Sequence, residues 1–110
     1  MQPDTGRIGG ISQMMKIAAM AEAHYITVAP HSGSLGPVAE YAAIHVLAAI
    51  PNALILERVH DDVPVRYDVT LPHIETIDGH IEVPDRPGLG VDIDEAVSYT
   101  HLTLPTICSV

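Results

Sequence analysis

Two short apolar runs, each leading directly into a titratable residue, constrain the fold of this chain more than any other feature. The run Thr27–Pro30 ends at His31, and the run Ala53–Leu56 ends at Glu57. A helical pattern precedes each run, and the two run ends lie 26 residues apart. This alternation is typical of βα units, in which parallel strands form one sheet and helices cover it.

The elements of these units can be bounded from local signals. Residues 12–24 carry apolar side chains at helical spacing, with Ser12 as the expected N-cap. The segments Tyr25–Ala29 and Ala53–Leu56 predict short, buried parallel strands. Residues 37–50 predict a second helix, because a proline suits the first helical turn. The predicted fold class is therefore α/β.

Three titratable side chains stand where such a fold places its chemistry. His31 and Glu57 each follow a predicted strand. Asp4 precedes a glycine-rich turn and the first helix, so we expect it to close a strand that this chain has lost. Parallel strands of a (β/α) barrel end on one face, and that face holds the active site. Asp4, His31 and Glu57 are therefore the candidate catalytic residues.

The histidine and the aspartate form a plausible acid/base pair. An imidazole titrates near neutral pH, so His31 can both accept and return a proton. A carboxylate such as Asp4, bonded to the second ring nitrogen, fixes the tautomer and stabilises the imidazolium. The alternatives are that His31 caps the next helix and that Asp4 only stabilises a turn.

Glu57 follows four apolar residues, so we expect its carboxyl group to be partly buried. A buried carboxyl group is either paired or protonated, and a protonated one can donate a hydrogen bond to an anionic substrate oxygen. The alternative is a salt bridge to Arg7 or Arg58. Arg58 has the opposite strand parity, so we expect it to point elsewhere.

The pattern changes after residue 58 and again after residue 96. Residues 59–96 combine a charged, proline-containing connection with short β segments, among them a hairpin of 73–77 and 80–83 around Asp78-Gly79. We expect this part to belong to a different layer from residues 1–58. Residues 97–110 have neither helical period nor cap, and we interpret them as a non-native tail that packs poorly on the core.

Charge and composition exclude several classes of partner. The formal net charge is −9, and the five lysine and arginine residues are scattered, so neither nucleic acid nor an anionic membrane is an expected partner. The apolar stretches are too short to span a bilayer. A single cysteine, Cys108, allows no disulfide within the chain. We expect a cytoplasmic protein.

Several motifs, taken in order, resemble the C-terminal part of the mandelate racemase subgroup of the enolase superfamily. The resemblance covers residues 2 to about 96 and is closest to the acid-sugar dehydratases of the galactonate type. The segments that carry it are Gln2-Pro3-Asp4, Arg7-Ile8-Gly9-Gly10-Ile11, Ala29-Pro30-His31, Leu35-Gly36-Pro37, Leu54-Ile55-Leu56-Glu57 and Val83-Pro84-Asp85-Arg86-Pro87-Gly88-Leu89-Gly90-Val91.

The resemblance implies a fold, a reaction and a set of roles. Residues 1–58 would be the last βα units of a TIM-type barrel, and the antiparallel segments of 59–96 would pack on a capping domain. Such enzymes abstract the proton α to a carboxylate, and Mg²⁺ stabilises the enediolate. His31 would be the acid/base paired with Asp4, and Glu57 would contact the substrate carboxylate or the enediolate.

The family's three Mg²⁺ ligands and its second acid/base lie on earlier strands, so no metal ligand is expected in this chain. The implied activity is that of a hydro-lyase acting on a small anionic sugar acid, within a full-length protein that we expect to be a homo-oligomer. The chain alone should be inactive. A racemase or epimerase of the same superfamily, and a small non-catalytic binding module, remain alternatives.

Overall fold

The computed structural model of the chain describes residues 1–31, 36–59 and 65–99. Within these ranges the elements with defined bounds are α-helices and a short antiparallel sheet. They are α1 (Ile11–Ala23), α2 (Pro37–Ala49), α3 (Val65–Asp68), β1 (Thr70–Leu71) and β2 (Asp92–Ile93). Leu35, residues 60–64 of the predicted connection and residues 100–110 of the predicted tail lie outside the described residues.

Helix α1 begins one residue earlier than the sequence predicts. Gly10, with a φ of 89°, occupies the N-cap position, so the assignment of Ser12 as the N-cap is wrong. The preceding turn explains the difference, because the Gly10 amide donates to the Thr5 carbonyl oxygen over 2.9 Å. Glycine adopts this left-handed backbone without the penalty that a Cβ atom would bring. The turn therefore runs from Asp4 directly into the helix.

The end of α1 explains why the first predicted strand begins late. Tyr25 has a φ of 57°, and its amide donates to the Glu22 carbonyl while the Ile26 amide donates to that of Ala21. This pair of bonds is the Schellman motif that closes a helix. Tyr25 is 99% exposed, so its assignment to a buried strand is wrong. Between the two predicted strands, the described residues form a parallel bridge from Val28 to Ala53.

Helix α2 starts where the sequence predicts, with Pro37 in its first turn, and its C-cap is Ile50. It packs against α1 over the buried segment that contains Val28. The core cluster consists of Met14, Ala18, Ala21, Val28, Val46 and Ile50. Two helices thus cover one face of the segment that leads into His31.

Backbone hydrogen bonds align three extended segments in parallel, namely residues 1–4, 27–31 and 52–57. The middle segment has a neighbour on each edge. The expectation that the strand before Asp4 is lost is therefore wrong, because residues 1–4 retain its end and pair with the middle segment. Ala53 is exposed, and Leu54 and Ile55 are each 65% exposed, so the prediction that Ala53–Leu56 is buried is wrong for these three residues. Burial of a parallel strand requires cover on both faces, and the described chain does not supply it at these positions.

Residues 65–99 are organised by turns. Strands β1 and β2 pair antiparallel, with Thr70 opposite Ile93. Ile77 and His80 form an antiparallel bridge around Asp78 and Gly79, whose φ angles of 49° and 77° are both positive. Two consecutive residues with positive φ are typical of the type I′ turn of a hairpin. The turn is thus where the sequence places it, although the flanking strands are shorter than predicted.

Residues 95–99 form a helical turn, which Asp94 caps by accepting hydrogen bonds from the Ala96 and Val97 amides over 3.0 and 3.2 Å. The predicted tail begins within this turn, at residue 97. Among the described residues, no helix has the length and apolar character needed to cross a membrane.

Candidate active site

The ends of the three parallel segments bring Asp4, His31 and Glu57 together. The Met1 nitrogen donates to Thr27 O and the Ala29 amide donates to Met1 O, each over 2.9 Å. In a parallel ladder these bonds place Met1 opposite Val28, so Asp4, three residues further along, lies opposite His31. The His31 amide donates to Pro3 O over 2.9 Å and holds this register at the end of the segment.

Asp4 lies between a histidine and an arginine. Its Oδ2 atom is 3.6 Å from His31 Nδ1 and 3.4 Å from Arg7 Nε. Its Oδ1 atom accepts the Arg7 amide over 3.0 Å. The Asp4 side chain is 10% exposed and that of His31 is 40% exposed. The buried carboxylate can therefore orient a ring that solvent or a ligand can reach.

The contact between Asp4 and His31 is longer than a good hydrogen bond. Oδ2 of Asp4 is buried and has no hydrogen-bond partner among the described residues. A buried, unsatisfied carboxylate oxygen costs free energy unless a cation or donor approaches it. The groups that face this oxygen are the Arg7 guanidinium, with Nε at 3.4 Å, and the His31 ring, with Nδ1 at 3.6 Å.

Glu57 approaches the same cluster from the third segment. Its amide donates to Pro30 O over 3.3 Å, and its Oε2 atom accepts a hydrogen bond from Gln2 Nε2 over 3.5 Å. Gln2 has the same parity as Asp4 in the first segment, so both side chains belong to one face of the sheet. The glutamate carboxylate therefore opens on the face that carries His31 and Asp4.

Arg58 turns away from Glu57, as its parity predicts. Its Nη2 atom lies 3.4 Å from Oε2 of Glu40, and its Nη1 atom donates to Thr76 Oγ1 over 2.9 Å. The guanidinium also stands 5.3 Å from the centroid of the Tyr67 ring. The salt bridge between Glu57 and Arg58 that the sequence left open is not formed.

Sequence reasoning missed two kinds of residue here. Gln2 contacts Glu57, and Arg7 contacts Asp4. The signal available in the sequence was that Gln2 lies in the first segment and Arg7 in the turn that follows it. Glu40 is 2% exposed inside an otherwise apolar helix. A carboxylate so buried needs a charged or hydrogen-bonding partner, which could have directed attention to Arg58.

The described residues do not form a Mg²⁺ site. They contain no group of three or more histidine, cysteine, aspartate or glutamate side chains placed to hold a metal ion. Asp4, the carboxylate nearest to His31, faces Arg7 and His31 with Oδ2 and accepts the Arg7 amide with Oδ1. Mg²⁺ requires several oxygen ligands in near-octahedral geometry, and this arrangement does not provide them.

A separate cavity of about 720 Å³ lies away from this cluster. Tyr41 lines it from α2, and the rest of its wall comes from residues 71–86 and Gly90. Neither Asp4, His31 nor Glu57 contributes to it. Asp4, His31 and Glu57 remain the candidate catalytic residues, because the carboxylate of Asp4 and the ring of His31 face each other at 3.6 Å outside this cavity.

Tyr41 is the described group with a clear pKa perturbation. Burial raises the pKa of its phenol above the usual value, and the nearby Arg58 guanidinium opposes this in part. Its hydroxyl donates to the Pro72 carbonyl oxygen. A neutral phenol that donates a hydrogen bond fits a structural contact between α2 and the later segment.

Comparison with known proteins identifies the family of the chain. Residues 1–97 match the family described as enolase C-terminal domain-like, and the chain belongs to this family. The D-galactonate dehydratase of Ralstonia pickettii is 42% identical over 108 residues, which cover 88% of this chain and 27% of the relative. The chain spans about a quarter of the length of the relatives it matches.

Solved structures show the same fold. A mandelate racemase/muconate lactonizing enzyme from Jannaschia sp. CCS1 is 34% identical with a TM-score of 0.81, over 91% of this chain and 25% of that protein. An enolase from Pantoea ananatis with bound D-gluconate and Mg is 32% identical with a TM-score of 0.80, over 90% and 24%. The predicted resemblance and the predicted barrel origin of the chain are confirmed.

Proposed function

We propose that the full-length protein containing this segment is a Mg²⁺-dependent acid-sugar dehydratase, in which His31 and Asp4 supply an acid/base pair. The juxtaposition of Asp4 and His31 at neighbouring segment ends carries the proposal. The relatives that match the chain support it, since they are named as sugar-acid dehydratases. A Mg²⁺ requirement is supported by the neighbour that holds gluconate and Mg, and its ligands would come from outside this segment.

The reaction removes the proton α to the substrate carboxylate and expels the β hydroxyl group as water. Its immediate product is an enol, which tautomerises to a 2-keto-3-deoxy acid. Two proton transfers are needed, one from carbon and one to the leaving oxygen. With Nδ1 of His31 facing Asp4, the other ring nitrogen is available to perform one of them, and the second falls to a group outside this segment.

Glu57 would act on the substrate rather than on the base. Its carboxyl group opens on the face that carries His31, beside the amide of Gln2. From this position Glu57 would contact the substrate carboxylate or the developing enediolate, while Gln2 would hold its orientation.

The test is to assay the full-length protein against a panel of C5 and C6 sugar acids, with and without Mg²⁺, in deuterium oxide. We expect Mg²⁺-dependent formation of a 2-keto-3-deoxy acid from at least one member of the panel. Inversion of the α carbon without loss of water would instead identify a racemase or epimerase. Absence of both reactions and of α-proton exchange across the panel would contradict the proposal.

The same assay on the His31→Asn variant shows which of the two proton transfers His31 performs. If His31 removes the α proton, exchange with deuterium stops together with dehydration. If His31 protonates the leaving hydroxyl, exchange continues while dehydration stops. A variant with undiminished dehydration would place the acid/base elsewhere.

A further inference from the structure

The three parallel segments are in register on one side of His31 and out of register on the other. Between the first and second segments the bonds from Ala29 to Met1 and from His31 to Pro3 follow a regular ladder. Between the second and third segments, Val28 lies opposite Ala53. A regular parallel ladder would then let Pro30 O accept a hydrogen bond from the Leu56 amide.

The observed donor to Pro30 O is instead the Glu57 amide, at 3.3 Å. One extra residue is thus accommodated between Leu54, whose amide donates to Val28 O over 2.9 Å, and Glu57. Such a one-residue slip is a β-bulge, a device that turns the following side chain to the other face of a sheet. Bulges are rare between parallel strands and frequent beside active sites.

The slip decides which face Glu57 occupies. Without it, Leu56 would lie opposite His31, and Glu57 would share the face of Val28, which the helices cover. With it, Glu57 lies level with His31 and Asp4. The hydrogen bond from Gln2 Nε2 to Glu57 Oε2 shows independently that the carboxylate stands on the side of the first segment's even-numbered residues.

Pro30 stands at the point where the register changes. In a regular ladder the amide of residue 30 would donate to Leu54 O and lock the two segments together. Proline has no N–H group, so that bond cannot form, and the next bond can form one residue later. We propose that Pro30 is a positioning residue, which permits the slip that brings Glu57 level with His31. This inference rests on the proposed function for the role of Glu57.

The test is the Pro30→Ala variant of the full-length protein, analysed by crystallography and kinetics. The new amide at residue 30 should donate to Leu54 O and return the ladder to register, so that Leu56 replaces Glu57 opposite His31. We expect kcat to fall by at least about 10²-fold, because even a displacement of about 1 Å at a reacting group has an effect of this size. KM should change much less, since remote substrate contacts are retained.

A compensating deletion distinguishes positioning from general damage. Removing Ile55 in the Pro30→Ala background shortens the third segment by one residue, so a regular ladder again places the glutamate opposite His31. We expect this double variant to recover most of the lost kcat. The matched control is Pro3→Ala, which also adds an amide to the sheet, but where the ladder is already regular. It should leave kcat unchanged.

Two results would overturn the inference. The first is a Pro30→Ala crystal structure that retains the slipped register. The second is a Pro30→Ala protein with a regular register and normal kcat, provided that Glu57→Gln lowers kcat. Should Glu57→Gln have normal kcat, the proposed role of Glu57 fails, and the register in the Pro30→Ala crystal still decides whether Pro30 sets the slip. If Pro30→Ala does not fold, Pro30→Val restores the same amide with a residue suited to strands.

Discussion

The two halves of this chain are held together by different kinds of contact. In residues 1–58, backbone bonds join segments that are far apart in sequence, and Met14 and Val28 are completely buried between α1, α2 and the middle segment. In residues 65–99, turns and two-residue strands dominate, and the described residues that are buried there are Thr70 and Gly90. Long-range pairing therefore fixes the candidate catalytic residues, whereas the later segment depends on local turns and on what it contacts.

A few side chains of the first region anchor the second. Arg58 reaches Thr76, Tyr41 donates to Pro72, and His45 Nε2 donates to Leu89 O over 2.9 Å. These contacts originate on α2 or just after the third segment. The candidate catalytic residues and the contacts that join the two regions therefore lie at different places. A variant of one set should leave the other set intact.

The largest effect should follow from removal of the acid/base group in the first region. In the full-length protein we expect His31→Asn to reduce kcat about 10²–10⁴-fold, the usual contribution of a positioned acid or base. Mg²⁺ affinity, measured by calorimetry, should be nearly unchanged, because the proposed ligands lie outside this segment. The matched control is His73→Asn, an exposed histidine of the second region, which should retain activity.

This pair of variants tests directly whether the catalytic residues lie in the first region. Near-normal kcat in His31→Asn, or an equal loss in His73→Asn, would mean that the chemistry is not confined to the three segment ends. Loss of Mg²⁺ binding in His31→Asn would show that the histidine and the metal site depend on each other.

The second largest effect should come from the anchor between the regions. Arg58→Ala removes the guanidinium that faces the buried carboxylate of Glu40 at 3.4 Å. Breaking a buried ion pair from one side costs about 3–5 kcal/mol, and we expect the lower end of this range because the Arg58 side chain is 24% exposed. Urea unfolding of the full-length protein measures the loss.

The control for this prediction is Arg86→Ala. Arg86 pairs with Asp92 over 2.8 Å, but both side chains are more than half exposed. An exposed pair contributes about 0–1 kcal/mol, so its removal should shift the urea midpoint little. Equal shifts in the two variants would contradict the idea that burial at Glu40 gives the anchor its strength.

How far the sequence predicts the fold depends on whether its signals are local. Pro37 starts α2 and Asp78-Gly79 form the hairpin turn, as predicted, because proline and glycine act on their own backbone. Ser12 fails as a cap because the Gly9-Gly10 turn already leads into α1. Tyr25 fails as a strand residue because it closes α1, which no local propensity of tyrosine indicates.

The candidate site follows the same division. The strand-end rule selects Asp4, His31 and Glu57, and the structure brings them together. The one-residue slip beside Pro30 was not predicted, although it decides the face on which Glu57 stands. Nor was the contact of Glu57 with Gln2, because register between segments 50 residues apart is set by pairing and not by local sequence.

A smaller effect should come from the turn of the second region. Gly79 has a φ of 77°, and a Cβ atom added there would meet no other atom within 4 Å. Gly79→Ala should therefore cost only the backbone penalty of about 1 kcal/mol. Gly79→Asn, whose side chain tolerates this conformation, should cost less. Urea midpoints of both variants equal to that of the unsubstituted protein would mean that the turn adds no measurable stability.

The smallest and most selective effect should appear at alkaline pH, where Tyr41 reports on the contact between the regions. Burial raises the pKa of its phenol above the ordinary value of about 10, so the folded protein retains this proton more strongly than the unfolded chain. The stabilisation is complete below pH 10 and is lost as the pH rises through the higher native pKa. Urea midpoints of the full-length protein should thus fall above pH 10.

In Tyr41→Phe, which lacks both the titrating group and its hydrogen bond to Pro72, stability should be lower at neutral pH and should fall less in the alkaline range. The difference between the two proteins should therefore narrow as the pH rises. A difference that stays constant between pH 8 and 11 would show that the phenol is not buried at this contact, and that α2 does not anchor the later segment through Tyr41.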